Sequence, residues 1–224
     1  SLSFPVKNQT IISENRFLFL NRVESLTFPQ DWNSKNISLL WSYNLHYFDD
    51  LNAEASQERT DWHIKLLNKW VVENKPGAGT GWEAYPTSLR IVNWIKWQLS
   101  KNLMPSNILN SLATQTRWLN KHIEWHILGN HLFSNAKALV FSGLFFQGKE
   151  ADTWLAKGLS IIKRELSEQI LIDGGHFERS PMYHALFLED LLDLINLSHT
   201  YSNHISSTQI DLWHETAQKM LFFL

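Results

Sequence analysis

Cysteine is missing from all 224 residues, which removes disulfides and thiolate metal sites from consideration. The redox compartment stays open, because a cysteine-free chain is at home in any. An excess of one charge is also lacking: 20 Lys and Arg stand against 22 Asp and Glu, a formal net of −2. That balance excludes the polyanion-coating surface of a non-specific nucleic-acid binder. A few cations gathered in a cleft would still hold an acidic sugar polymer. Long apolar runs are absent too, the richest being Leu139 to Phe146, far short of a membrane span. The opening SLSFPVKN has the pattern of neither a signal nor a transit peptide, which says little if the chain is a piece of a longer one.

What remains is an ordinary globular composition, 44% hydrophobic and 19% charged, in a chain long enough to bury a core without covalent staples. Eleven Trp and ten His are the unusual counts. Indole faces suit the C–H patches of a pyranose ring, and they suit a packed core equally well.

Residues 1–50 show no sustained helical period. The stretch Leu40-Trp41-Ser42-Tyr43-Asn44-Leu45-His46-Tyr47-Phe48 alternates in part and reads as an extended strand or ordered loop. From Ser56 onward the pattern is helix after helix, near 57–74, 86–100, 107–126, 131–147, 151–170, 181–199 and 207–224. Pro76-Gly77-Ala78-Gly79-Thr80-Gly81 breaks the chain into a loop, and Pro105-Ser106 ends one helix and caps the next. Asp173-Gly174-Gly175 makes a turn, and Ser180-Pro181 reads as an N-cap followed by proline at the first helical position. Long helices on short loops predict stacked antiparallel hairpins. The expected organisation is an irregular segment over 1–50 packed on a helical domain over 51–224. The last residues, Gln218 to Leu224, stop inside an apolar helical pattern without a C-cap signal, so a continuation is expected.

Two stretches concentrate polar groups at helix starts: Gly129-Asn130-His131-Leu132-Phe133-Ser134, and Gly174-Gly175-His176-Phe177-Glu178-Arg179-Ser180-Pro181-Met182-Tyr183-His184. Unpaired N–H groups and the helix dipole favour negative charge there. The same residues could be a cap (Asn130), satisfied interior histidines (His131, His184), a core tyrosine (Tyr183) or a local pair (Glu178 with Arg179). A third stretch, Gly81 to Trp97, places Arg90, Asn93, Trp94 and Trp97 on one helical face. That face suits a groove for an acidic sugar, or a partly buried helix whose arginine meets a carboxylate. The run His122-Ile123-Glu124-Trp125-His126 is not the HExxH of a zinc protease, and no third ligand is evident. No metal and no cofactor are expected in this chain.

With Trp41 to Asp49, Tyr85 to Trp94, Gly129 to Leu132 and Gly174 to His184 occurring in that order, the sequence resembles the heparinase II/III family of polysaccharide lyases, especially bacterial members associated with surface polysaccharides. The resemblance implies an all-α, incomplete α/α toroid of antiparallel hairpins, followed in the family by a β-sandwich domain that this chain does not contain. It implies Asn130, His131 and Tyr183 as catalytic residues, with Arg90, His184 and Arg179 at the sugar site; Trp94, on the helical face of Arg90, and Glu83 are read as further sugar contacts. The implied reaction is β-elimination on a uronic acid. Asn130 and His131 would neutralise the carboxylate, and Tyr183 would move the proton, its phenolate favoured by Arg179 and His184. The implied partners are an acidic polysaccharide and the missing β domain, without which the fragment is expected to be silent. Such lyases often act in the periplasm. Two other readings stay open: a toroid glycoside hydrolase using Glu83, Asp173 or Glu178, and a non-catalytic polysaccharide-binding module.

Overall fold

The computed structural model describes residues 5–100, 103–127 and 129–224. Among these residues it holds eight α-helices and one three-stranded antiparallel sheet. The helical fold class expected from the sequence stands, with a small sheet added. Contacts divide the chain into two compact units, Val6–His122 and Ile123–Leu224. Within the first unit the N-terminal strands pack with the helix that follows them.

In the first unit β1 (Ile11–Ser13), β2 (Arg16–Phe19) and β3 (Arg22–Ser25) form two hairpins in the order β1-β2-β3. The buried Asp50 ties β1 down: its Oδ1 accepts from the backbone N–H of Thr10 and Ile11, and its Oδ2 from Arg59 Nε at 2.8 Å, with His63 Nε2 also at 2.8 Å. Burial alone would raise that carboxyl's pKa, but His63, Arg59 and the two backbone donors outweigh it and hold it at about 2.

The aromatic stretch read as extended is a helix, α1 (Leu39–Tyr47). Ser38 caps it by accepting from Trp41 N, Phe48 ends it at φ +62°, and Trp41 and Leu45 share its buried face four residues apart. The apparent alternation came from aromatic residues falling on both sides of a short helix. After it come α2 (Thr60–Glu73), α3 (Ala84–Leu99) and α4 (Ser106–Lys121). The last stops five residues earlier than its apolar period suggested.

The second unit consists of α5 (Asn130–Phe145), α6 (Lys149–Gln169), α7 (Pro181–Thr200) and α8 (Ser207–Phe223). Glycine sets the α5–α6 hairpin. A Cβ on Gly143 would lie 2.6 Å from Leu155 N, and one on Gly158 would lie 2.8 Å from Ala136 O, so the two backbones pack at a distance only glycine allows. These contacts pair early residues of one helix with late residues of the other, and the helices are antiparallel. The α7–α8 pair is antiparallel as well, with His184 against Met220 and His199 against His214.

Tryptophan chiefly builds the core. Trp32, Trp41, Trp70, Trp82, Trp94, Trp97, Trp154 and Trp213 are buried, and Trp125 is the one indole that is largely exposed.

Candidate functional site

The polar residues at the two helix starts come together in the second unit. Gly129, at φ +82°, is the N-cap of α5, so Asn130 is its first helical residue and not the cap. A Cβ on Gly129 would lie 3.0 Å from Glu178 Oε1 and 4.0 Å from Phe177 Cζ. The chain entering α5 therefore rests on the turn that precedes α7. Deeper in, Phe133 meets Phe187 at 4.1 Å between ring centroids, and Lys137 reaches Asp190 and Asp193. Residue numbers rise together along both helices, so α5 and α7 run parallel and start at the same end.

His131 is held by a carboxylate. Its Nδ1 lies 3.2 Å from Glu124 Oε1, while Glu124 Oε2 accepts from Asn135 Nδ2 at 3.3 Å and Glu124 N donates to Asn135 Oδ1 at 2.9 Å. Asn135 is fully buried, so Glu124 is fixed to the body of α5. A carboxylate on Nδ1 favours the tautomer in which Nε2 exchanges protons. The sequence reading weighed Glu124 only as part of a metal-like run. Asn130 is half-buried, and its carboxamide makes no hydrogen bond to a described residue. Beside this group, Trp125 is 48% exposed with the Arg164 guanidinium 5.4 Å from its ring centroid.

At the start of α7, Ser180 caps as expected: its Oγ accepts from Tyr183 N at 3.4 Å, with Pro181 in the first turn. Tyr183 is half-exposed one turn into the helix. The preceding segment folds back through Asp173-Gly174-Gly175, where Asp173 Oδ1 accepts from Gly175 N at 3.0 Å. Gly174, at φ +89°, abuts the Lys219 backbone, where a side chain would collide. His176 is buried; its Nε2 lies 3.1 Å from Gln169 Oε1, and its Nδ1 accepts from Glu178 N. Burial, and then the neighbouring His184, lower the His176 pKa.

A cavity of about 340 Å³ opens here, lined in part by His176, Arg179, Ser180, His184 and Phe223. Arg179 is exposed, with its backbone in the left-handed region at φ +55°, and it forms no ion pair with Glu178 or any other described residue. His184 lines the cavity but is only 3% exposed. Its Nε2 donates to Met220 O at 3.0 Å and its ring stacks on Phe223, so it clips α7 to α8 and does not reach toward Tyr183.

Of the residues read as sugar contacts in the first unit, two are core residues. Arg90 has no exposed surface: Nε donates to Gln115 Oε1 at 2.8 Å, the terminal nitrogens donate to Thr87 Oγ1 and His46 O, and its Cζ sits 3.9 Å from the centre of the Trp70 ring. Neutral acceptors and an aromatic face satisfy this guanidinium without a carboxylate. Trp94 is equally buried, packed edge-on against Phe48 and Trp70. Asn93 and Trp97 are buried with them, so the whole face belongs to the interior. Glu83 is exposed, its Oε2 accepting from Tyr43 Oη at 2.5 Å. The adjoining Tyr47 has its pKa raised by burial, and then by Tyr85, Asp49, Tyr43 and Glu83. His122, read as half of a possible ligand pair, has its Nδ1 on Trp118 O at 2.8 Å. Among the described residues no three His, Asp or Glu side chains gather as a metal site, and no helix is long and apolar enough to cross a membrane.

The profile of the "Heparinase II/III N-terminus" family matches residues 48–223. A heparin-sulfate lyase of Bacteroides thetaiotaomicron is 28% identical over 196 residues, spanning 79% of this chain and 28% of the relative. Another, of Bacteroides stercoris, is 34% identical over 98 residues, or 42% of this chain and 14% of the relative. The crystal structure of heparinase III superposes with a TM-score of 0.66 at 25% identity over 85% of this chain and 31% of that one. Heparan sulfate lyase HepC from Pedobacter heparinus gives 0.67 at 19% identity over 93% and 36%, a likeness of fold. The chain thus spans less than two fifths of the length of each of these relatives.

Proposed function

This chain belongs to the heparinase II/III N-terminus family, a family with glycosaminoglycan lyases among its members, and from that premise we propose that it carries the proton-transfer and carboxylate-binding side of a lyase acting on a uronic-acid-containing glycan. The observation that carries this reading is the parallel pairing of α5 and α7, which brings Asn130-His131 and Tyr183 to one end of one compact unit.

In the proposed reaction the Asn130 carboxamide and His131 bind the uronate carboxylate, reducing its charge so that the C5 proton becomes removable. They also stabilise the enolate-like intermediate, where negative charge moves onto the carboxylate oxygens. Glu124 keeps His131 in one orientation. Tyr183 takes the C5 proton as phenolate, or gives a proton to the departing O4, according to the stereochemistry at C5. The electrons of the C5–H bond form the C4–C5 double bond as the C4–O4 bond breaks, and a proton ends on O4. Arg179 and the His176–His184 cavity receive a neighbouring anionic residue of the polymer, and Trp125 offers a face to a sugar ring. Heparan-type glycans are the first polymers to test, since they name the relatives' substrates. The second wall of the cleft comes from a β domain outside these 224 residues, so this chain alone turns substrate over poorly.

The test uses the full-length protein and a panel of uronate polymers, following the ultraviolet absorbance of the conjugated unsaturated product. Asn130→Ala is expected to lower kcat by roughly a hundredfold or more, the scale of losing one oxyanion donor. Its thermal stability should stay close to the parent's, because Gly129 holds the cap position. Reducing ends released without unsaturation would establish a hydrolase and defeat the proposal.

A further inference from the structure

The residues placed at the site do not explain why the α5–α7 contact contains charge. Lys137 is nearly buried, its side chain 6% exposed, with Nζ 2.7 Å from Asp190 Oδ1 and 2.5 Å from Asp193 Oδ2; Asp193 is fully buried. Burial by itself would lower the lysine's pKa, but Asp190 and Asp193 outweigh it and raise it, so the ammonium stays charged in the interior. Replacing such a group by packed hydrocarbon commonly costs nothing, so a buried ion cluster does not explain stability; registry is its best-attested use.

We propose that Lys137 is a positioning residue that locks the axial register of α5 and α7, holding the Asn130-His131 pair level with Tyr183. Seven residues separate Asn130 from Lys137, and seven separate Tyr183 from Asp190, about 10.5 Å of rise in each helix. In parallel helices these equal intervals set the two starts at the same height. The apolar contact nearer the site, Phe133 on Phe187, tolerates sliding because dispersion is non-directional. The ion cluster does not: a slip of one turn, about 5.4 Å, would take the ammonium away from at least one of its two carboxylates. Asp190 and Asp193 lie three apart on one face of α7 and embrace Lys137 from successive turns, which blocks displacement in either direction. Chemistry that needs a carboxylate clamp and a proton carrier on two different helices is sensitive to a displacement of about 1 Å. The catalytic consequence rests on the lyase reading above; the register itself does not.

The experiment compares, in the full-length protein, the parent, Lys137→Met, and a neutral triple variant Lys137→Met/Asp190→Asn/Asp193→Leu that leaves no buried charge behind. Spin labels on cysteines introduced by Asn130→Cys and Tyr183→Cys report the separation of the two helix starts by dipolar EPR, this stretch having no cysteine of its own. We expect Lys137→Met to lower kcat by about tenfold or more with KM within about twofold, the mark of misplaced groups on a retained binding surface. The triple variant should regain melting temperature without regaining kcat, and both variants should broaden the label distribution. Recovery of kcat together with stability in the triple variant, or an unchanged distribution in Lys137→Met, overturns the proposal. If the parent makes no unsaturated product, the lyase reading has failed and the EPR comparison alone decides: broadening sustains the register role, and no change ends it.

Discussion

Arg90 in the first unit and Arg179 in the second are the same side chain put to opposite uses. Arg90 sits mid-helix with no exposed surface, its donors matched by Gln115, Thr87 and His46 and its plane laid on Trp70. Arg179 lies just before a helix, exposed and without an ion pair to any described residue, in the wall of a cavity. The contrast extends to their surroundings. In the first unit polar groups such as Asp50, His46 and Asn93 turn inward and tie elements together; in the second, Asn130, His131 and Tyr183 stand at helix starts with part of their surface open. Residue type alone does not separate a cation enclosed in the core from one left open to a cavity. Surroundings do: Arg90 is enclosed by Gln115, Thr87, His46 and Trp70, whereas Arg179 lies in the wall of a cavity.

Tyr183→Phe tests the open side of this comparison with the largest expected effect. Losing only the hydroxyl of a proton carrier should cut turnover in the full-length protein by about 10²- to 10⁴-fold while substrate affinity survives. Unsaturated product formed at the parent rate would return Tyr183 to the status of a packing residue. On the closed side, Arg90→Ala removes a buried guanidinium, leaves a void under Trp70 and strands its acceptors. A loss of about 3 kcal/mol in denaturant unfolding is expected, with KM of the surviving folded protein unchanged. A raised KM at full stability would mean that Arg90 reaches substrate after all.

Glu124→Gln falls between the two cases, since it frees a site histidine without removing it. About a tenfold fall in kcat is expected, on the scale of orienting partners elsewhere, with little change in melting temperature. A variant with parent kcat would show that His131 needs no orientation from Glu124.

The smallest effect is electrostatic and belongs to the interior. Neutral His46 accepts from Trp70 Nε1 at 3.0 Å and donates to Trp32 O at 2.9 Å, so a second ring proton would break one of these bonds. Burial, and then Arg90, lower its pKa from 6.5 to about 3, partly opposed by the Trp32 carbonyl. Below pH 6.5 the unfolded chain takes up a proton that the folded chain refuses, so stability falls as pH drops toward 3. The slope is up to about 1.4 kcal/mol per pH unit. Asp50, lowered from 3.8 to about 2, adds its own loss as pH falls from about 4 toward 2, because the unfolded carboxyl protonates first. His46→Gln keeps a donor and an acceptor without the titration, and melting curves from pH 7 to about 4 should flatten by up to one proton's worth. An unchanged slope would assign the acid sensitivity to another group.

Legibility from the sequence followed how local the determining chemistry is. The start of α7 could be read because Ser180 and Pro181 act on their own turn, and the glycine turn before it because Gly174 needs φ +89°. The helix α1 was missed because nine residues with aromatics on both faces mimic alternation, and its decisive signals, the Ser38 cap and the αL Phe48, are weak in isolation. The Arg90 face was misread because spacing reveals that four residues share a side, not whether that side meets solvent or Gln115 from another helix. Glu124 was overlooked for a similar reason. It holds His131 and Asn135 from a position outside any helix, so the helical spacing of seven and eleven carries no contact information there.

The left-handed backbone of Arg179 also sets two kinds of selection against each other. A non-glycine residue at φ +55° carries a steric cost of about 1–2 kcal/mol that glycine would not. A laboratory library sorted on heat resistance alone should therefore drift toward glycine at 179, discarding the cation that faces the cavity. A library sorted on glycan turnover should keep arginine and accept the cost. Codon frequencies at this single position would then record which property a lineage had been asked to preserve.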